Sequence, residues 1–184
     1  MSFAGPGLWY ATRAAGLVTL MLLTASTALG IATGTRLASM RWPRFLVIGL
    51  HRNIALLALL FLAVHVGTTV IDTYTSIGLQ DAVVPFLSGY HRLWLGLGAI
   101  ASDLFLVLIA TSLLRHRMRP QLWRTVHWTG YLCWPVAISH GLGIGTDSGK
   151  TWVFYLALTC GAVVAAALTV RLTLVLRFAR RVVR

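Results

Sequence analysis

Four histidines stand in pairs inside apolar runs. His51 and His65 close the stretch "HRNIALLALLFLAVH", and His127 and His140 sit in "VHWTGYLCWPVAISHG". Only Arg52 and Asn53 are polar between the first pair. Ionisable groups inside a membrane segment are costly and are functional candidates by default. Neutral imidazole is also a common axial ligand for haem iron. The first pair is fourteen residues apart, about 21 Å of helix rise, and the second thirteen, about 20 Å. One imidazole from each run, at each of two matched levels, is what two stacked bis-histidine haems require. A single such histidine could equally bond a nearby hydroxyl or carbonyl, but four at matched depths argue for ligation.

Helices must carry these residues. The chain has 184 residues, 58% hydrophobic and 11% charged, with a mean hydropathy of +0.80, which excludes an ordinary soluble domain. We expect an all-α integral membrane bundle forming one domain over residues 1–184, with five spans. They are Leu8–Ile31, Phe45–Ile71, Leu93–Leu114, Leu122–Leu142 and Thr151–Leu172, each long enough for a hydrocarbon core of about 30 Å. The first span lacks a basic n-region and is read as a retained helix rather than a cleaved signal. Fourteen residues return within about 40° on an ideal helix, so His51 and His65 share a face. Thirteen leave His127 and His140 about 140° apart. Pro135 lies between them and is expected to kink the fourth span and correct the phase, with Gly130 loosening the same stretch.

The net charge of +12 is distributed unlike that of a nucleic-acid binder. Arg36, Arg41 and Arg44 lie in the first loop, Arg115, Arg117 and Arg119 in the third with Arg124 beyond, and Arg177, Arg180, Arg181 and Arg184 in the tail. Loops two and four hold only Arg92 and Lys150, with Asp72, Asp81 and Asp147. The positive-inside rule places the first cluster set in the cytoplasm, with the N-terminus outside and the C-terminus inside. Basic residues facing anionic lipid account for the charge, and no nucleic acid is expected. "GIGTDSGKTW" is not a phosphate loop, because Ile144 stands where the first glycine is required. Cys133 and Cys160 read as packing thiols, and no C-x-x-C-H motif for covalent haem occurs.

At the two histidine runs the chain resembles the ferric reductase-like transmembrane domain family. That family includes NADPH oxidases, ferric reductases and the membrane haem subunit of the bacterial methionine sulfoxide reductase system. The His140-Gly141 ending fits the oxidase pattern, and "LWYATRAAGLVTL", "DAVVPF" and "LWLGLG" look similar to compact, stand-alone bacterial members. The resemblance implies a transmembrane cytochrome b in a bacterial cell membrane, an oxidoreductase component that moves electrons outward through two b-type haems. His51 with His127 would bind the inner haem, and His65 with His140 the outer. No flavin or nicotinamide domain is expected on this sequence, so a separate cytoplasmic flavoprotein or membrane quinone would be the donor. Ferric iron, oxygen or a partner reductase would be the acceptor. A non-redox haem carrier or assembly subunit is the alternative.

Haem propionates require cationic partners. Arg52, Arg44 and Arg124 are candidates for the inner haem, and Arg92, with Arg13, for the outer. Snorkelling to lipid phosphate is the competing role for each. His91 and Arg92 could also orient an external acceptor. Asp103, mid-way along the third span, would join a proton path or bond a neighbouring hydroxyl or indole. Trp128 and Trp134 would line haem edges or lie between the haems, and His116 in "RHRMRP" reads as a surface residue.

Overall fold

A computed structural model describes residues 6–34, 43–72, 77–145, 147 and 149–182. Arg36, Arg41 and Arg184 lie outside the described residues, as do the side chains of Arg180 and Arg181. The chain forms α1 (Pro6–Gly34), α2 (Arg44–Ile71), a short α3 (Leu79–Val83), α4 (Arg92–Leu113), a 3-10 turn (Arg115–Arg117), α5 (Pro120–Trp128), α6 (Gly130–Ile144) and α7 (Thr151–Val182). No strand occurs among the described residues. Prolines set two of the starts. Pro43 precedes α2 in extended conformation, and Pro120 opens α5, where its missing N–H removes no helix bond.

Four helices are long and apolar enough to cross a membrane: Gly7–Gly34, Arg44–Ile71, Arg92–Leu113 and Thr151–Arg177. The expected fourth of five spans is divided. α5 ends at Trp128 and α6 begins at Gly130, so neither piece has a span's length. Around the division Thr129 N–H bonds Val126 O, and Leu132 N–H bonds Thr129 O, at 3.0 and 2.9 Å. These are bonds to the third residue back, the tighter winding of a 3-10 turn. Pro135 lies inside α6 without ending it. The change of winding therefore falls at Thr129–Gly130, earlier than the expected kink at Pro135.

α1 packs along α2 and α4 along α6, each pair antiparallel, and α7 leans on α1. Leu23, Ala58, Phe105, Leu108 and Cys133 form the core cluster where the two pairs meet. Ala58 is seven residues from both His51 and His65, so this apolar plug sits midway between the two histidine levels. Outward-facing side chains are apolar as well; Phe45 is 71% and Leu60 and Leu172 59% exposed. That is the surface expected of a bundle solvated by lipid, with every backbone bond closed inside a helix.

The α3 segment folds back on the start of α4 at the arginine-poor end. Two residues of this connection adopt left-handed backbone, Phe86 at φ 64° and His91 at φ 39°, a conformation that costs about 1–3 kcal/mol unless the surroundings impose it. The Phe86 ring occupies the space a side chain at Gly96 would need, which ties the connection to α4.

Candidate functional site

The two helix pairs bring the four histidines together as expected from their spacing. His51 faces His127 with ring centres 6.2 Å apart and planes at 82°. His65 faces His140 at 6.4 Å and 79°. Two opposed metal–imidazole bonds of about 2.0–2.1 Å, plus roughly half a ring at each end, add to about 6 Å. An edge-to-face ring contact also falls in this range.

His51 Nδ1 lies 2.8 Å from Ser26 O, His65 Nδ1 2.8 Å from Thr12 O, and His140 Nδ1 2.8 Å from Trp94 O. A carbonyl only accepts, so in each case Nδ1 carries the proton and Nε2 the lone pair. Such a bond from the non-ligating nitrogen is the usual device that fixes the tautomer and orientation of a metal-binding histidine. Each of these rings also rests over a glycine of the neighbouring helix. A Cβ at Gly16 would meet His65 Nδ1 at 2.9 Å, one at Gly30 would meet His51 Cε1 at 3.2 Å, and one at Gly98 would meet His140 Cε1 at 2.5 Å. His127 differs. Its Nδ1 meets only the Ser112 hydroxyl, at 3.5 Å, and its ring stacks on Trp123 at 5.0 Å and 23°.

Among the described residues no group of three or more His, Cys, Asp or Glu converges. Protein cages for a bare metal ion such as zinc need three or four such ligands. Two opposed imidazoles suit an iron whose other four positions a planar macrocycle fills. Polar and cationic side chains lie near both pairs. Trp123 Nε1 is the one buried side-chain nitrogen or oxygen among the described residues that lacks a hydrogen-bond partner, an omission costing about 1–3 kcal/mol until an acceptor arrives. It lies beside His127. At the other end a cavity of about 280 Å³ is lined by His65, His140, Gly16 and Gly98 and reaches Arg13 and Asp147.

Arg13 pairs with Asp147, which also holds Lys150 at 2.9 Å, and the Arg13 guanidinium lies 4.0 Å over the Trp9 ring. Arg92 is exposed, and its Nε donates to Phe86 O at 2.8 Å. Arg44, Arg52 and Arg124 are exposed at the arginine-rich end. His91 is exposed with its ring against Tyr90, and His116 is exposed on the 3-10 turn. Asp103 is half-buried on α4 and is not among the cavity's lining residues. Trp128 is 62% exposed. Trp134 instead points into the bundle, where its Nε1 donates to the buried Thr24 hydroxyl at 2.8 Å, at the height of the mid-bundle core. Cys133 and Cys160 are both buried thiols.

A family model, ferric reductase like transmembrane component, matches residues 14–138, more than half of the chain. The chain belongs to this family. The ferric reductase-like match contains His51, His65 and His127, and ends two residues before His140. No curated protein and no solved structure matches the chain. Membership makes this ferric reductase-like chain a multi-pass membrane protein of electron-transfer type.

Sequence reasoning missed the small residues behind the rings. Gly16 and Gly30 are fourteen residues apart, as are Gly98 and Ser112, the interval that also separates His51 from His65. That repeat was the available signal. Arg171, which bonds the Tyr131 hydroxyl and packs against Gly34, carried no comparable pattern.

Proposed function

We propose that the protein is the membrane electron-transfer component of a ferric reductase-like system, a cytochrome b holding one haem between His51 and His127 and another between His65 and His140. When bound, haem supplies one-electron Fe(III)/Fe(II) chemistry. The carrying observation is the pair of opposed imidazoles at 6.2 and 6.4 Å. Domains of this family commonly bind haem, which agrees with that donor set.

The chain's own residues have three tasks in this reading. Ser26 O, Thr12 O and Trp94 O hold three Nδ1 protons away from the metal side, so that Nε2 faces inward unprotonated. Arg52 and Arg124 at one end, and Arg13 and Arg92 at the other, neutralise propionate charge, and Trp123 Nε1 donates a hydrogen bond to it. The apolar plug of Leu23, Ala58, Phe105 and Cys133, with Trp134 beside it, keeps water from the space between the two levels. We place the arginine-rich end in the cytoplasm, with α5 and α6 crossing together as one interrupted helix. A cytoplasmic flavoprotein or membrane quinone then donates electrons near His51–His127. Ferric iron, oxygen or a partner reductase receives them near His65–His140.

Vesicles carrying the protein, with ferricyanide trapped inside and dithionite outside, test the transfer. Bleaching of the trapped ferricyanide should exceed that in protein-free vesicles and fall to their rate when His65→Ala is used. Equal rates in all three would exclude an electron conduit and favour a haem carrier.

A further inference from the structure

The three carbonyl anchors follow one rule. Each accepting carbonyl stands four residues before a glycine on the same helix: Thr12 before Gly16, Ser26 before Gly30, Trp94 before Gly98. In a helix the Cα–Cβ bond tilts toward the N-terminus, so a side chain overhangs the backbone one turn earlier. Glycine leaves that carbonyl open to an incoming imidazole. The corresponding pair for His127 is Leu108 and Ser112. Here a Cβ covers the position, and the Thr111 hydroxyl, which donates to Val107 O at 2.7 Å, also lies 3.2 Å from Leu108 O. His127 meets the Ser112 hydroxyl at 3.5 Å instead, the outer limit of a hydrogen bond. Its ring stacks on Trp123, and a stacked indole accepts no hydrogen bond from Nδ1.

Resting on the haem reading above, we propose that Ser112 makes His51–His127 the weaker-donating of the two ligand sets, so that an iron held there is the more easily reduced. Hydrogen bonding of Nδ1–H to a carbonyl raises the basicity of the ligating nitrogen, and a more basic ligand favours Fe(III). His65–His140 has two such bonds and His51–His127 one. Each iron takes one electron, Fe(III) to Fe(II), with no proton in the balance. A single electron delivered by the donor therefore rests on the arginine-rich side. The exposed Arg44, Arg52 and Arg124 at that end act in the same direction, since positive charge favours the ferrous state.

The test is a spectroscopically followed redox titration of the full chain, with dithionite as reductant and ferricyanide as oxidant. The component that survives in His140→Ala identifies His51–His127. Ser112→Gly, which opens Leu108 O, should shift that component's equilibrium toward Fe(III) about tenfold, the low end of what such outer partners contribute to metal affinity. For a one-electron couple this is about 59 mV downward. Ser112→Ala keeps the Cβ and should move it less than about twofold. Two haems retained with no shift in Ser112→Gly would overturn the proposal and leave the haem reading standing. An equal downward shift in Ser112→Ala would also overturn it, by assigning the effect to the hydroxyl. A parent chain without haem would strike the haem reading itself. If Ser112→Gly does not fold, Gly30→Ser decides: its Cβ would stand 3.2 Å from His51 Cε1, a contact the ring can absorb, and by covering Ser26 O it should move the same component toward Fe(II); no movement would overturn the proposal.

Discussion

His140→Ala is expected to remove one of two haems per chain and leave the other in place. His140 supplies one side of the His65–His140 pair and is locked by Trp94 O at 2.8 Å. The second pair lies a helix stretch of about 21 Å away, beyond the core cluster of Leu23, Ala58, Phe105, Leu108 and Cys133. Sites so far apart with no shared partner behave independently. The haem content of the purified variant should therefore fall from two to one, with helical circular dichroism and elution volume unchanged. Loss of both haems from a folded chain, or of neither, would show that the pairing is wrong.

Gly98→Val should have the same result without touching a ligand. A Cβ at position 98 would come within 2.5 Å of His140 Cε1 and 2.6 Å of its Nδ1, closer than real side chains approach. The ring is boxed in by α4 and must leave Trp94 O. Loss of an outer partner of this kind lowers metal affinity about 10–100-fold, and displacement of the ring itself adds to that. Haem retention at the His65–His140 level should collapse, while the His51–His127 haem remains. Gly67→Ala is the control. It lies two residues past His65, but nothing stands within 4 Å of its added carbon, and alanine is about 1 kcal/mol better than glycine in a helix. Its haem content should match the parent. A haem-replete Gly98→Val chain would mean that the glycine does not shape the site.

The histidine ladder was legible because spacing along a helix converts directly into depth in a membrane. His51, His65, His127 and His140 could be sorted into two levels by counting alone. Four of the five expected spans followed from apolar run lengths, whereas which helices pack together did not. Other features depended on geometry that counting does not carry. The expected kink at Pro135 rested on a local rule, but a proline can stay inside a helix when its neighbours hold the backbone. The winding changes at Thr129–Gly130, where Gly130 was expected to loosen the stretch, and this divides the expected fourth span. The Arg13–Asp147 pair joins residues far apart in the chain, so no window reveals it. Gly16, Gly30, Gly98 and Ser112 were visible as a repeat, but glycines are common in membrane helices. Their meaning appeared only once each lay beneath an imidazole. Trp123 carried no sequence signal at all; its unpartnered Nε1 beside His127 is visible only in the structure.

A pyridine haemochrome count on the purified full chain, with oxidised and dithionite-reduced spectra, decides whether the two imidazole pairs are haem sites. Two low-spin b-type haems per chain are predicted. None, in a folded protein supplied with haem during expression, would contradict the assignment of His51–His127 and His65–His140 as ligand pairs.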